Sequence, residues 1–324
     1  MSHPERPGSG PAGSLTVPPA PQGKSGESLA AFAARHGLTQ SSARPALGQY
    51  IRKVWDRRHF IWTFASSKRA AMYTSSKLGQ IWQVLTPLLN AGVYFVIFGL
   101  LLELHKGIHD YVPWLITGVF VFTFTQRSLT TSAKAVGGHL PLVRALHFPR
   151  ATLPLAYTAV ELQQLLISLV VLVFLVLACG VAPAATWLLL VPVIVLQLLF
   201  NVGLSMIVAR LGAFTRDITQ LLPFVLRTWL YVSGVIFPVA SLANRSETVR
   251  DNPWILGLLE ANPGFVYVEL ARQAMIPSYV AQKNPQVAMN DPGLLWLYAV
   301  AWALILCVGG FYWFYRAEER YGRG

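Results

Sequence analysis

The sequence predicts an all-α membrane protein with six transmembrane helices, an N-terminal amphipathic helix at the interface, and an outer re-entrant hairpin between helices five and six. Hydrophobic residues make up 54% of the 324 residues, and charged residues only 12%, against about 25% in soluble domains. Six apolar segments are each about as long as the ~20 residues that cross a bilayer core. These segments are residues 80–102, 112–133, 152–178, 187–209, 221–239 and 293–315.

The positive charges are distributed unevenly around these segments. When the loops are assigned alternately to two sides, 19 of the 26 lysines and arginines share the side of the N-terminus, and five lie opposite. Lysine and arginine are enriched in cytoplasmic loops. The sequence therefore predicts a multi-pass protein of the plasma (inner) membrane with both termini cytoplasmic. This distribution also accounts for the net charge of +12 without nucleic-acid binding.

The composition divides the chain into four regions. Residues 1–47 are predicted to be a flexible cytoplasmic tail, without the apolar stretch of a cleavable signal peptide. Residues 48–78 contain the interfacial helix, and residues 79–316 form the six-helix domain, with the re-entrant hairpin within 240–292. Residues 317–324 are a second cytoplasmic tail.

Residues 48–68 have the pattern of an amphipathic helix. The apolar stripe consists of Ile51, Val54, Trp55, Ile61, Trp62 and Ala65. Arg52 lies opposite this stripe, whereas Arg58 interrupts it. A basic amphipathic helix with tryptophans is typical of a helix that lies on the inner leaflet. It either anchors the N-terminal arm or borders a route by which an amphiphilic substrate enters from that leaflet.

Two connecting segments carry apolar residues of their own. The inner loop 135–151 has the composition of a short amphipathic helix that Pro149 ends. Such a helix needs a protein partner or a membrane surface to cover its apolar side. In the outer segment, stretches 254–259 and 265–276 flank Asn262-Pro263-Gly264. Each stretch is too short to span the membrane, and this predicts the re-entrant hairpin.

Three ionisable residues fall within the predicted spans, namely Arg127, Glu161 and Arg227. At ~1.5 Å per residue, all three lie in the inner half of the membrane. Intramembrane charges usually pair or face water. The arginines either extend toward the interface, with Glu161 paired to one of them, or the three residues form a polar vestibule that receives a charged head group. Glu161 is the only acid in the six spans, so a proton relay is not favoured.

Aromatic side chains are frequent in the spans. Contact with the core or with lipid is their default role, but an aromatic-lined channel would suit a sugar polymer, because flat rings stack on the apolar faces of sugars. The candidates are Tyr94, Phe95, Phe98, Phe224, Trp229 and Tyr231.

The sequence contains no pattern typical of an enzyme. It has no zinc-binding helix motif, nucleophile elbow or cluster of loop carboxylates. His105, His109 and Asp110 share an outer loop, which we interpret as solvated, since a metal site needs three or four ligands on a rigid frame. We therefore expect neither a metal nor a cofactor in this chain.

Several short motifs follow one another in a characteristic order. They are Gly79, Trp82 and Pro87 at the first span, Phe148-Pro149-Arg150 with Leu153-Pro154, Arg216-Asp217 before the fifth span, residues 233–238 at its end, and Asn262-Pro263. Over roughly residues 50–316 this order resembles the membrane subunit of type-2 ABC exporters. More narrowly, it resembles the permeases for lipid-linked polysaccharides such as O-antigen, teichoic acid and mycobacterial galactan, and the galactan exporter is the most similar of these. Gly137, Gly138 and His139 replace the usual Asn, and Gly234 replaces the usual Pro.

The resemblance implies a homodimer bound to two copies of an ATPase subunit, which would bind ATP and Mg²⁺. The machine would move a polyprenyl-diphosphate-linked glycan across the membrane through a pore lined by spans one and five. A gate helix would contain Arg52, Trp55, Arg58 and Trp62. A coupling helix over residues 139–150 would dock on the ATPase through His139, Leu140, Leu142, Arg144, His147, Phe148 and Arg150.

Two alternatives remain open from the sequence. A drug or small-lipid exporter of the same superfamily would not need an aromatic channel for a polymer. A polytopic glycosyltransferase or acyltransferase would need clustered acids or a His/Asp pair near one interface.

Overall fold

A computed structural model of the chain describes residues 35, 45–72, 79, 81–103, 108, 110–139, 149–215, 217–239, 241–242, 246–281 and 292–318. Within these ranges the chain forms helices joined by turns, without a β-strand. The predicted all-α fold is therefore confirmed.

The α-helices within the described residues are numbered here in chain order. They are α1 (Leu47–Asp56), α2 (Arg58–Ala71), α3 (Ile81–Tyr94), α4 (Tyr111–Ala133), α5 (Thr152–Ala178), α6 (Leu190–Phe214), α7 (Asp217–Val232), α8 (Glu247–Asp251), α9 (Pro253–Glu260), α10 (Pro263–Met275), α11 (Pro277–Ala281) and α12 (Pro292–Tyr315). A π-helix, Phe95–Leu101, extends α3, and 3₁₀ turns lie at Gly137–His139 and Ala185–Leu189.

Among the described residues, four helical stretches are long and apolar enough to cross a membrane. They are Val84–Leu101, Thr152–Ala178, Ala185–Phe214 and Pro292–Tyr315. Helix α4 has 23 residues but is less apolar, and α7 has only 16 residues, fewer than the ~20 of a full span. The membrane class is confirmed, and the count of six spans stays a prediction.

Helix α4 lies at the centre of the packing. It contacts α3, α5, α6, α7 and α10, and most of its side chains are buried, including Trp114 and Phe122. A helix that is surrounded on all sides has no need of a single apolar stripe. This position explains why aromatic and polar residues occur all around α4.

Helices α6 and α12 approach each other closely at two glycines. A Cβ atom on Gly203 would lie 2.0 Å from the carbonyl oxygen of Leu306, and one on Gly310 would lie 2.2 Å from the oxygen of Gly203. Small residues allow such contacts between helix backbones in membranes. The crossing fixes α12 against the rest of the bundle.

The single helix predicted over residues 48–68 is interrupted at Arg57, between α1 and α2. Helix α1 packs Tyr50 against the C-terminal parts of α6 and α12, whereas α2 packs Phe64 against Tyr157 of α5, with ring centres 5.9 Å apart. One straight helix could not follow both surfaces, which explains the break.

The fifth predicted span, residues 221–239, is helical only as far as Val232. Residues 233–239 continue without regular helix, and Gly234 has a positive φ of 60°. Glycine adopts this left-handed conformation readily and commonly ends helices. Beyond it, the two apolar stretches of the outer segment correspond to α9 and α10, while the depth of the hairpin in the membrane stays a prediction.

Candidate functional site

Helices α1 and α2 expose tryptophan side chains on the surface of the chain. Trp55 is 68% exposed and Trp62 is 54% exposed, and Arg52 is exposed as well. The guanidinium of Arg58 lies 5.6 Å from the centre of the Trp55 ring and donates a hydrogen bond to the Trp55 carbonyl at 3.3 Å. Arg58 therefore interrupts the apolar stripe by stacking on an indole, which is a favourable cation–π arrangement.

Two adjacent glutamines of α5 connect it to different neighbours, one to α2 and the other to α4. Arg69 Nε donates to Gln163 Oε1 at 3.1 Å, and Gln163 Nε2 donates to Ser66 Oγ at 3.1 Å. On the next residue, Gln164 Oε1 accepts a hydrogen bond from Arg127 Nη1 at 3.0 Å. Gln163 thus contacts the interfacial helix, and Gln164 contacts a charged residue of α4.

Arg127 and Glu161 lie together at a pocket between α3, α4 and α5. The pocket is partly open, and the empty space within it, counted together with adjoining open solvent, is about 270 Å³. Its lining consists of Pro87, Phe120, Thr123, Phe124, Arg127, Glu161, Gln164, Leu165 and Ser168. Glu161 is buried and interacts electrostatically with Arg127. Its Oε2 atom has no hydrogen-bond partner among the described residues.

Arg227, the third member of the predicted vestibule, does not line this pocket. It is exposed on α7, on the same helix face as Phe224, Thr228 and Tyr231, because positions three and four apart lie one above the other. Phe224 is 70% exposed. Within one chain the structure therefore brings two of the three charges together and places Arg227 on a separate surface.

Aromatic residues of α3 and its π-helical extension adjoin this face of α7. The ring centre of Phe98 lies 6.5 Å from that of Tyr231 and 6.3 Å from that of Tyr94. Tyr94 also interacts electrostatically with Arg227. We call these residues, with Phe224, the α3–α7 surface; it contains four of the six predicted channel aromatics.

The other two predicted channel aromatics point into the protein. Phe95 packs against Tyr111, with ring centres 6.3 Å apart. Trp229 packs edge-on against Phe122 at 5.6 Å, and its Nε1 donates to Asn262 Oδ1 at 2.7 Å. Phe95 and Trp229 therefore pack inside the protein and are not part of the α3–α7 surface.

Asn262 connects the start of α10 to the end of α7. Its Oδ1 also accepts from the backbone N–H of Gly264 at 3.0 Å and so caps α10. Its Nδ2 donates to Ser233 Oγ at 3.3 Å. A Cβ atom on Gly264 would lie only 2.2 Å from Ser233 Oγ. The Asn262-Pro263-Gly264 motif is therefore explained by close contact between α10 and the segment after α7.

Helix α10 contains a buried ion pair. Arg272 is fully buried and lies 3.6 Å from the carboxylate of Glu269. Its guanidinium donates to the carbonyls of Trp114 at 3.1 Å, Gly234 at 3.0 Å and Val235 at 2.8 Å. It also stacks 3.4 Å from the centre of the Trp114 ring. One side chain thus joins α10 to α4 and to the segment after α7.

Sequence reasoning missed this pair. The charge count assigns Arg272 only to the outer side of the membrane, and the hairpin prediction names no partner for it. The available signal is the spacing of Glu269 and Arg272, an acid and a base three residues apart within an apolar stretch. Opposite charges at that spacing lie on one helix face, and charges inside a membrane usually pair.

The predicted coupling helix falls largely outside the described residues. Leu140, Leu142, Arg144, His147 and Phe148 lie outside them, as do His105, His109 and Arg216. His139 ends the 3₁₀ turn Gly137–His139. Arg150 is described, and its backbone N–H donates to Glu318 Oε1 at 3.0 Å. Burial raises the pKa of the Glu318 carboxyl, although hydrogen bonds from Arg150 and Tyr50 oppose this shift.

Comparison with protein families decides the class of the protein. Residues 59–276 match the family described as ABC-2 type transporter, over two thirds of the chain. The chain belongs to the ABC-2 type transporter family. The region that matches this family begins in α2 and ends directly after α10, so it contains the pocket, the α3–α7 surface and the buried ion pair. The predicted resemblance to type-2 ABC membrane subunits is therefore confirmed.

Two proteins to which this ABC-2 chain is similar have the same name. It is 30% identical over 166 residues to an O-antigen export system permease protein RfbA of Klebsiella pneumoniae, covering 51% of this chain and 63% of that protein. A Myxococcus xanthus protein of the same name is 26% identical over 198 residues, covering 60% and 75% of the two chains. The chain thus spans less than two thirds of the Klebsiella relative.

Proposed function

We propose that the chain is the membrane-spanning subunit of an ATP-driven exporter of a polyprenyl-diphosphate-linked polysaccharide, galactan or O-antigen-like. The glycan would move outward from the cytoplasmic side of the inner membrane. Two copies of the chain would associate with two copies of an ATPase subunit, which would bind ATP and Mg²⁺. Both termini would be cytoplasmic. The family membership and the relatives named as O-antigen export permeases support this proposal.

The α3–α7 surface carries the proposal. An arginine that faces lipid within the membrane is costly, so such residues face protein or water. Arg227 is exposed there beside Phe224 and Tyr231, which favours a surface that faces a second copy and a hydrated path. Two such surfaces would enclose a conduit lined by aromatic rings, on which sugar rings can stack and slide.

The pocket at Arg127 suits the charged end of the substrate. A guanidinium has five N–H donors, and charge-assisted bonds from arginine to phosphate are strong. Glu161 compensates the charge of Arg127, and a diphosphate would replace it as the partner. Gln163 and Gln164 place this pocket beside α2, so a head group that enters along the interfacial helices would reach it directly.

The first experiment depletes the protein in its host and follows the lipid-linked glycan. We expect the polymer to accumulate on the cytoplasmic side, where an enzyme added outside spheroplasts cannot modify it. Polymer that reaches the outside at the normal rate in depleted cells would refute polysaccharide export. Retention of a small lipid or drug instead would favour the alternative exporter.

The second experiment complements the depleted strain with Arg227→Ala. We expect export to fall at least about tenfold, the order expected when one hydrogen bond to a charged group is lost. Arg250→Ala is the matched control, because the Arg250 side chain is 64% exposed in the outer segment. Normal export by Arg227→Ala at normal protein level would remove the α3–α7 surface from the transport path.

A further inference from the structure

Two side chains from distant parts of the chain hold the start of α5. The first N–H groups of a helix lack partners within the helix. Here the N–H of Arg150 donates to Glu318 Oε1 at 3.0 Å, and the N–H of Ala151 donates to Tyr50 Oη at 3.2 Å. Tyr50 belongs to α1, and Glu318 follows α12. We call these four residues the α1–α5–α12 junction.

The junction is a closed network. Tyr50 Oη donates to Glu318 Oε2 at 2.8 Å, and the Arg150 guanidinium donates to the backbone carbonyl of Glu318. The Tyr50 ring packs 5.1 Å from that of Tyr315, whose hydroxyl donates to the carbonyl of Pro45 at 2.6 Å. Tyr50 is 1% exposed and Glu318 is 9% exposed.

Physical chemistry favours a rigid connection at this point. A carboxyl group at the positive end of the 27-residue helix α5 is stabilised by the helix dipole when it is ionised. Buried hydrogen bonds have one good geometry, and a satisfied buried network fixes the positions of its members. An apolar contact between the same helices could slide, whereas this network moves as one piece.

We propose that Tyr50 and Glu318 are positioning residues for transport, which transmit displacement of residues 149–151 to the interfacial helix α1. Residues 149 and 150 are the last residues of the predicted coupling helix, and Ala151 leads directly into α5. A shift of Arg150 and Ala151 carries Glu318 and Tyr50 with it, and Tyr50 carries α1. This inference rests on the proposed function, in which the ATPase moves the segment before α5.

The test uses the full chain with its ATPase in nanodiscs and measures amide hydrogen exchange with and without a non-hydrolysable ATP analogue. In the wild type we expect a nucleotide-dependent change at residues 149–151 and in α1. In Tyr50→Phe, which keeps the ring, the change stays at 149–151 and is lost in α1. Exchange of the Ala151 amide rises roughly fivefold, as expected for loss of one neutral hydrogen bond. Tyr312→Phe is the control, because Tyr312 is 50% exposed on α12.

A second readout is the amount of glycan moved per ATP hydrolysed. Glu318→Gln keeps an acceptor for the Arg150 N–H and should retain most of the wild-type ratio, whereas Glu318→Ala and Tyr50→Phe should lower it several-fold. A wild-type response at residues 149–151 without one in α1 would overturn the inference. So would a response in α1 that survives both Tyr50→Phe and Glu318→Ala. If the wild type moves no glycan, the proposed function fails, and the exchange measurement still decides the role of the junction.

Discussion

Replacement of Arg272 by methionine tests whether the buried ion pair holds α10 against α4 and the segment after α7. Methionine fills most of the space of the arginine stem but provides no hydrogen-bond donor. The substitution leaves the carbonyl groups of Trp114, Gly234 and Val235 without this donor. It also leaves the Glu269 carboxylate, now 3.6 Å from the guanidinium, buried without its cation.

The expected loss of stability follows from this geometry. Removal of one partner of a buried ion pair costs about 3–5 kcal/mol, because an uncompensated charge remains in the interior. A domain of comparable size loses roughly 2–4 °C of melting temperature per kcal/mol. We therefore expect Arg272→Met to melt about 6–20 °C below the wild type.

The assay is thermal unfolding of the purified chain in detergent, followed by fluorescence-detected size exclusion. The double variant Arg272→Met/Glu269→Gln should be more stable than Arg272→Met alone, because it leaves no buried charge. Arg250→Met is the matched control. Arg250 lies 3.8 Å from Glu247, with both side chains mostly exposed, and exposed pairs contribute only about 0–1 kcal/mol.

Two results would refute the reasoning. A melting temperature of Arg272→Met within about 2 °C of the wild type would show that the guanidinium does not hold the hairpin. A double variant no more stable than the single one would show that the unpaired charge of Glu269 is not the source of the loss.

Two further predictions concern stability. Gly203→Ala should destabilise the chain by about 1–3 kcal/mol, because its Cβ would lie 2.0 Å from the carbonyl oxygen of Leu306. Gly309→Ala, whose Cβ meets nothing within 4 Å, should melt like the wild type, and equal melting of both variants would exclude a tight crossing of α6 and α12. Burial raises the pKa of Glu318 in the folded state, so the folded chain binds more protons there than the unfolded chain. The usual glutamate pKa is about 4.3, and the folded value lies above it. As the pH rises through this interval, the wild type should lose stability relative to Glu318→Gln. A difference in melting temperature that does not change with pH would contradict this.

Several features could be predicted from local residue patterns. Apolar segments of bilayer length predicted an all-α membrane protein, because backbone groups in lipid must be satisfied within helices. The stripe over residues 48–68 predicted helical structure there, while the interfacial location stays a prediction. The order of motifs such as Asn262-Pro263 predicted the family. Each of these signals depends on neighbours in the chain or on composition, which the sequence displays directly.

Other features depend on contacts between residues far apart in the sequence. Residues 48–68 bend at Arg57 because α1 and α2 pack on different helices. Arg127 of α4 and Glu161 of α5 line the same pocket. Arg227 lies instead on an exposed face of α7 that does not border this pocket.

The sequence by itself determined that this chain is a helical membrane protein of the type-2 ABC class, since hydropathy and motif order need no partner elsewhere in the chain. Only the tertiary structure decided which charges are paired. The charge count assigns Arg272 to the outer side of the membrane, yet the side chain is buried against α4 and the segment after α7. Glu318, near the C-terminus, accepts a hydrogen bond from the Arg150 N–H just before α5 and another from Tyr50. Burial and pairing are properties of the whole packing, so a local pattern cannot specify them.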